Sequence, residues 1–235
     1  MSKVLITGNS SGLGLGLATA CLARGDHVYG ISRRGAPSSH PRLKEVKADL
    51  EDLEQIQSAV NDLLRDVQSL NLIVLNAGIL GPIQPMHESS MDTLQQVMTV
   101  NVWANKMLLD ALIHATVHVD QALLISSGAA VNGSFGWSAY AMSKAALNML
   151  TQLYAHEMPQ THLTALAPGL VDTAMQDVLC DEVDAQQFPS VNVLRAARGT
   201  TGMPGPERAA ELILGVLPRL RTFPSGSFVD IRQLN

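Results

Sequence analysis

No run of lysine or arginine occurs anywhere in the 235 residues, and the formal net charge is −5. That absence argues against a nucleic acid or an acidic membrane surface as the main partner. Cysteine is scarce as well: Cys21 and Cys180 form no motif, which leaves no disulfide framework and points to a reduced, cytoplasmic protein. No stretch approaches the roughly 18 apolar residues that a membrane span requires. The opening "MSKVLITG" lacks the long apolar region and small-residue cleavage site of a signal peptide, so the start reads as mature. His114 and His118 stand four apart, but no cysteine or carboxylate cluster completes a ligand set, and no metal is expected. "SGAAVNGS" offers no G-x-S-x-G elbow for nucleophilic hydrolysis.

What is present is a rhythm. Short β-branched or apolar runs, "KVLITG" (3–8), "HVYGIS" (27–32), "LKEVKA" (43–48), "NLIVLNAG" (71–78), "QALLISS" (121–127) and "HLTALAPG" (162–169), alternate with segments long enough for helices. Several runs are continuously apolar, as strands buried on both faces are. Strands joined through helices are parallel with right-handed crossovers, so the pattern predicts an α/β fold with a doubly wound parallel sheet in three layers. Length and the 46% hydrophobic content fit a single domain over 1–235. Residues 174–206 break the rhythm and close in "RGTTGMPGP", which reads as a lid over a substrate site.

The first run leads straight into "TGNSSGLGLG". Gly8, Gly12 and Gly14 have the spacing that lets a backbone turn sharply and meet a pyrophosphate at a helix N-terminus. The G-x-G-x-x-G pattern does not fit, because Leu17 stands where its third glycine should be. Gly16 has no evident role in this reading, although a helical glycine costs about 1 kcal/mol against alanine. If a dinucleotide binds, the end of the second strand should meet its adenosine ribose. There the sequence has Ser32, Arg33 and Arg34 with no carboxylate nearby. Guanidinium groups bind a 2′-phosphate through charge-assisted bonds, so the expected cofactor is NADP rather than NAD.

"TGNSSGLG", "NAG" (76–78), "VN" (100–101), "SS" (126–127), Tyr140-x-x-x-Lys144 and "PGLVDT" (168–173) together resemble the successive motifs of the classical short-chain dehydrogenase/reductase family, in its order and across almost the whole chain. The resemblance implies a Rossmann-type domain, a nicotinamide cofactor and a catalytic set. Carbonyl reduction needs a proton donor, and Tyr140 is the candidate general acid, or base in the reverse direction. Lys144, one helical turn later, supplies a positive charge that would favour the phenolate. Ser127 would polarise the carbonyl and stabilise its oxyanion. The resemblance further implies that Lys144 bonds the nicotinamide ribose and that Asn101 holds a water in the proton relay. Cofactor positions carried over in the same way are the turn Gly8, Asn9, Ser10, Ser11, Gly12, Leu13 and Gly14, then Ser32, Arg33 and Arg34. Asp49 and Leu50 follow for the adenine, Asn76, Ala77 and Gly78 for the trough, and Pro168, Gly169, Val171 and Thr173 for the nicotinamide. Asp49 also reads as a helix cap. Leu75 replaces a frequent asparagine of the family, and "GSFVDIRQLN" replaces its frequent Gly-Gly turn near the C-terminus.

At about 100° per residue, Tyr140, Lys144, Leu147, Thr151 and Tyr154 share one helix face, and Met142, Ala146, Met149 and Leu153 form an apolar stripe nearly opposite. That second stripe predicts a homo-oligomer, dimer or tetramer, or else a cover from residues 174–206. Ala129, Val131, Phe135, Trp137, Gly81 to Ile83 and Met175 with parts of the following lid are expected to wall an apolar pocket for a small or medium neutral carbonyl or alcohol. The expected activity is an NADPH-dependent carbonyl reductase. The other reading is a cofactor-binding regulatory protein of the same fold with little turnover.

Overall fold

The computed structural model describes residues 1–234. Strands β1 (Lys3–Thr7), β2 (His27–Ser32), β3 (Leu43–Lys47), β4 (Ser69–Leu75), β5 (His118–Ile125), β6 (His162–Ala167) and β7 (Ser227–Asp230) form one sheet in the order β3-β2-β1-β4-β5-β6-β7. Every neighbouring pair runs parallel. Six strands coincide with the six apolar runs of the sequence. The seventh, only four residues long, lies in the C-terminal segment where the sequence had promised no strand.

The helices are α1 (Gly12–Ala23), α2 (Leu53–Leu64), α3 (Met91–Met98), α4 (Ala104–His114), α5 (Ser138–Glu157), α6 (Ala174–Asp177), α7 (Val191–Ala197) and α8 (Pro206–Leu220). The pleat of each strand sends alternate side chains to opposite faces. Leu5, Ile73, Ala122 and Leu124 meet α2, α4 and α5 in one core; Val4, Ile6, Val74, Leu123 and Ile125 meet α1 and α8 in the other. Both faces are therefore covered, which is why the strands read as unbroken apolar runs. Each such side chain contributes roughly 1.5–3 kcal/mol by leaving water. Edge strand β3 differs: Lys44, Glu45 and Lys47 are exposed, and charge on an edge discourages pairing with another chain.

Helix α5 sorts its two stripes as its periodicity requires. Lys144, Leu147, Thr151 and Tyr154 are buried, whereas Met149 and Leu153 are 55% and 53% exposed and Met142 is exposed beside them. Residues 174–206 do not cover that stripe. They fold into α6, a π-helical turn (Val178–Glu182) and α7, and they pack through Leu179, Cys180, Leu194 and Met203 against Leu80, with Trp137 and Tyr140 alongside. Cys21 and Cys180 are buried free thiols, and burial pushes the Cys21 thiol up to about 12. His114 ends α4 and His118 begins β5, so the pair does not share a helix face. Among the described residues, no helix is long and apolar enough to cross a membrane, and no cluster of three or more His, Cys, Asp or Glu side chains could hold a metal.

The structure also gives Gly16 a reason. A Cβ there would lie 2.5 Å from the Pro206 carbonyl oxygen, because α1 presses against the first turn of α8. Gly16→Ala is therefore expected to destabilise the protein by about 1–3 kcal/mol through overpacking, despite the gain in helix propensity. Urea denaturation checks this, and a stabilised variant would refute the packing argument.

Candidate active site

The strand order reverses between β1 and β4, and a crevice opens where those two strands end. Thr7, the last residue of β1, accepts through Oγ1 from the backbone N–H groups of Asn76 (2.9 Å) and Ala77 (3.0 Å) just past β4. Asn76 Nδ2 donates in turn to the Thr7 carbonyl at 3.0 Å. Gly8 (φ +73°) and Gly12 (φ +52°) turn the chain into α1 through a conformation that L side chains rarely adopt. Gly14 lies so close that a Cβ there would sit 2.2 Å from the Gly8 oxygen and 2.6 Å from Asn76 Nδ2.

From this turn runs a cleft of about 470 Å³. At one end stand Ser32, Arg33, Arg34, Asp49 and Leu50; Gly8, Ser10, Ser11, Gly12, Leu13, Asn76, Ala77 and Gly78 follow. At the other end Ser127, Tyr140 and Lys144 meet Pro168, Gly169, Val171 and Thr173. Arg34 Nη2 donates to Ser11 Oγ at 3.2 Å, and Arg33 lies 4.0 Å from the Asp49 carboxylate. Asp49 is not a helix cap. Its Oδ1 accepts from the Glu51 N–H at 3.0 Å, while Asp52 caps α2.

Three expected contacts lie outside the cleft lining. Asn9 is fully buried beneath the turn, with its amide donating to Glu45 on β3. Gly14 makes room rather than contact. Asn101 is fully buried: its Oδ1 accepts from the Ile79 N–H (2.8 Å), and its Nδ2 donates to the Ile79 carbonyl and to Ser143 Oγ (2.9 Å each). A water relay at Asn101 would have to use its main-chain carbonyl, which lies in a π-helical turn (Thr99–Trp103) and already accepts from Asn105 Nδ2 at 2.8 Å.

The family model described as short chain dehydrogenase matches residues 2–184. The chain belongs to the short-chain dehydrogenase family. A benzil reductase ((S)-benzoin forming) of Bacillus subtilis (strain 168) is 30% identical over 244 residues, covering 99% of each chain. Another, of Saccharomyces cerevisiae, is 33% identical over 196 residues, covering 75% of this chain and 74% of its own. The crystal structure of the KRED1-Pglu enzyme superposes with a TM-score of 0.86 at 26% identity, covering 97% of this chain and all of its own.

A short-chain dehydrogenase works with a nicotinamide cofactor, and the residues of this cleft fit one. Gly8 and Gly12, with Ser10 and Ser11 between them, line the cleft at the N-terminus of α1, where phosphates need close approach. Gln176, which lines the cleft, also has its buried Oε1 without a hydrogen-bond partner among the described residues. Lys144 Nζ donates to the Ile125 carbonyl at 2.7 Å and lies 5.6 Å from the centre of the Tyr140 ring. Burial raises the Tyr140 phenol above its ordinary value, and a hydrogen bond from Ser127 partly draws it back. Burial pulls the Lys144 ammonium down to about 8. Burial thus dominates the phenol in the protein alone, with the Ser127 hydrogen bond opposing it, and Tyr140 holds its proton at neutral pH.

The apolar end of the cleft also differs from the expected wall. Trp137 and Met175 line it together with Ile79, Leu80, Leu170, Leu179 and Leu194. Val131 and Phe135 face outward, and Phe135 stacks on Phe188 with ring centres 5.5 Å apart. Leu179 and Leu194 are the share of the wall that comes from the lid segment 174–206; the sequence marked the segment but not these two residues, because only its fold brings them into the cleft. At the opposite end, Gln96 Nε2 donates to both carboxylate oxygens of Glu51 (3.1 and 3.2 Å), bridging α3 to the loop after β3.

Because the Lys144 pKa is depressed on folding, the protein carries a desolvation cost that is fully present below about pH 8 and gone above the ordinary lysine value of 10.5. Lys144→Met is therefore expected to raise the unfolding midpoint by a few degrees at pH 7. The gain should shrink between pH 8 and 10.5, which calorimetry across that range would reveal.

Proposed function

We propose that the protein is an NADPH-dependent carbonyl reductase of uncharged, apolar substrates, with an aromatic ketone or 1,2-diketone such as benzil as the first compound to test. One observation carries the reading. A single cleft joins two arginines at its adenosine end to Ser127, Tyr140 and Lys144 at its apolar end. The bound cofactor would supply the hydride. The protein's own part is positional and electrostatic.

Arg33 and Arg34 would hold the 2′-phosphate, with Ser32 beside them and Ser10, Ser11 and the N-terminus of α1 at the pyrophosphate. Asp49 and Leu50 would receive the adenine, and Asn76 to Gly78 would line the trough. Lys144 would hold the nicotinamide ribose, and Thr173 its carboxamide. Ser127 donates to the substrate oxygen, stabilising the negative charge that develops there. Tyr140, protonated at neutral pH, gives its proton to the same oxygen. The protonated phenol is the form that reduction uses.

Trp137, Leu80, Leu170, Met175, Leu179 and Leu194 exclude water and offer apolar surface without a charge, which suits a neutral aromatic substrate. Residues 174–206 would act as the lid. Arg198 ties them down, standing 3.6 Å from Asp172 beside Thr173 and pairing with Asp177 and with Asp181 (2.9 Å).

The relatives' benzil reductase activity supports the choice of first substrate. With benzil and NADPH, Tyr140→Phe should lower kcat by about 10²-fold or more, and Arg33→Ala should lower the NADPH to NADH efficiency ratio. Tight NADPH binding without turnover of any aldehyde, ketone or quinone would favour a binding protein instead. An unchanged ratio in Arg33→Ala would refute its phosphate role.

The exposed stripe of Met142, Met149 and Leu153, with Trp103 also exposed, supports self-association through α5. Light scattering at micromolar concentration should give a dimer or tetramer, and Met149→Lys combined with Leu153→Glu should yield monomers. A monomeric wild type would end that reading.

A further inference from the structure

Glu45 lies on edge strand β3, outside the cleft, and neither the sequence motifs nor the catalytic reading uses it. Its carboxylate nonetheless joins two parts of the cofactor site. Oε1 accepts from Asn9 Nδ2 under the glycine turn and from the Ala36 N–H, at 2.9 Å, at the end of the arginine loop 33–36. Asn9 fits there only because Gly30 on β2 has no side chain; a Cβ would lie 2.5 Å from its Nδ2. A carboxylate only accepts, so the amide must present Nδ2 to Glu45, and Asn9 Oδ1 is left buried without a partner among the described residues. A buried acceptor left unpaired is costly, and the arrangement persists because the Glu45 bonds hold it.

The arginine loop has few other ties. The Gly35 N–H donates to Ser32 Oγ at 3.1 Å, Gly35 itself has φ +79°, and the Arg34 guanidinium reaches Ser11 at 3.2 Å. The Lys47 stem runs past Gly35, so three cations gather around the loop, and two carboxylates face them, Glu45 and, at 4.0 Å from Arg33, Asp49. Of the two, Glu45 is the one that also accepts from the loop's backbone.

We infer that Glu45 is a positioning residue for 2′-phosphate recognition: it locks loop 33–36 to the glycine turn through Asn9 and Ala36, so that Arg33 and Arg34 face the phosphate already ordered. The inference rests on the NADP reading above. It separates geometry from charge, since a glutamine keeps an acceptor for both N–H groups and loses only the negative charge.

Calorimetric titration with adenosine 2′,5′-bisphosphate and with ADP tests it on the whole protein. Glu45→Ala should weaken the bisphosphate roughly tenfold, about the effect of losing one hydrogen bond to a charged group, and leave ADP within about twofold. Glu45→Gln should restore most of the bisphosphate affinity. In turnover, the KM for NADPH should rise in Glu45→Ala while kcat and the KM for NADH hold, and the NADH rate also reports that the variant is folded. Equal affinities of Glu45→Ala and wild type for the bisphosphate, with Arg33→Ala weakened, would overturn the role of Glu45 and leave the NADP reading standing. Tighter bisphosphate binding in both Glu45 variants would overturn it too, because Glu45 would then act only as a repelling charge. A wild type that binds the two probes equally would overturn the NADP reading and this inference with it.

Discussion

Everything at this site depends on how closely three backbones meet where β1 and β4 end. Thr7 binds the N–H groups of Asn76 and Ala77, Asn76 returns a bond to Thr7, and Gly14 brings α1 against both Gly8 and Asn76. No side chain fits in that space. The contact fixes the N-terminus of α1 over the sheet at the point where the strand order reverses, and so aims unpaired N–H groups into the crevice. The neighbouring strands then set the length of the cleft. β2 and β3 present the arginines on one side, and β5 and β6 present Ser127 and the 168–173 loop on the other.

The same layering explains how a phenol and an ammonium come to share an apolar helix. α5 packs one face on the sheet, and Lys144 reaches through that face to the carbonyl at the end of β5. A charge placed there is costly, and the depressed Lys144 pKa is the trace of that cost. It is borne at a position that lines the cleft beside Tyr140. The opposite face of α5 has no such constraint, and its Met142, Met149 and Leu153 side chains are exposed.

Much of this was legible in the sequence because it follows from local rules. Six of the seven strands show as short β-branched or apolar runs, and the cleft-lining positions Gly8, Ser10 to Gly12, Arg33, Tyr140 and Lys144 sit in or beside elements whose ends the periodicity marks. What could not be read depends on contacts between distant segments. β7 is too short for a pattern, and it forms by pairing with β6. Gly16 looked like a mere cost until Pro206 was placed against it. Val131 and Phe135 seemed to be pocket walls by their nearness to Ser127, but the loop turns them outward, and which residues of the expected lid come in, Leu179 and Leu194, no periodic signal marked.

Asn9 shows most sharply where spacing stops being informative. It stands between two residues that line the cleft, so proximity in sequence assigns it to the cofactor. Its side chain instead points through the sheet edge, into the space that Gly30 leaves open, and ends on Glu45. A motif specifies the backbone path of a turn, and that path decides which side chains face the cleft. Ser10, Ser11 and Leu13 line it, while Asn9 beside them holds the turn in shape. Identifying the latter kind of residue requires knowing what lies behind the turn, and here that is an edge strand 36 residues away in the chain.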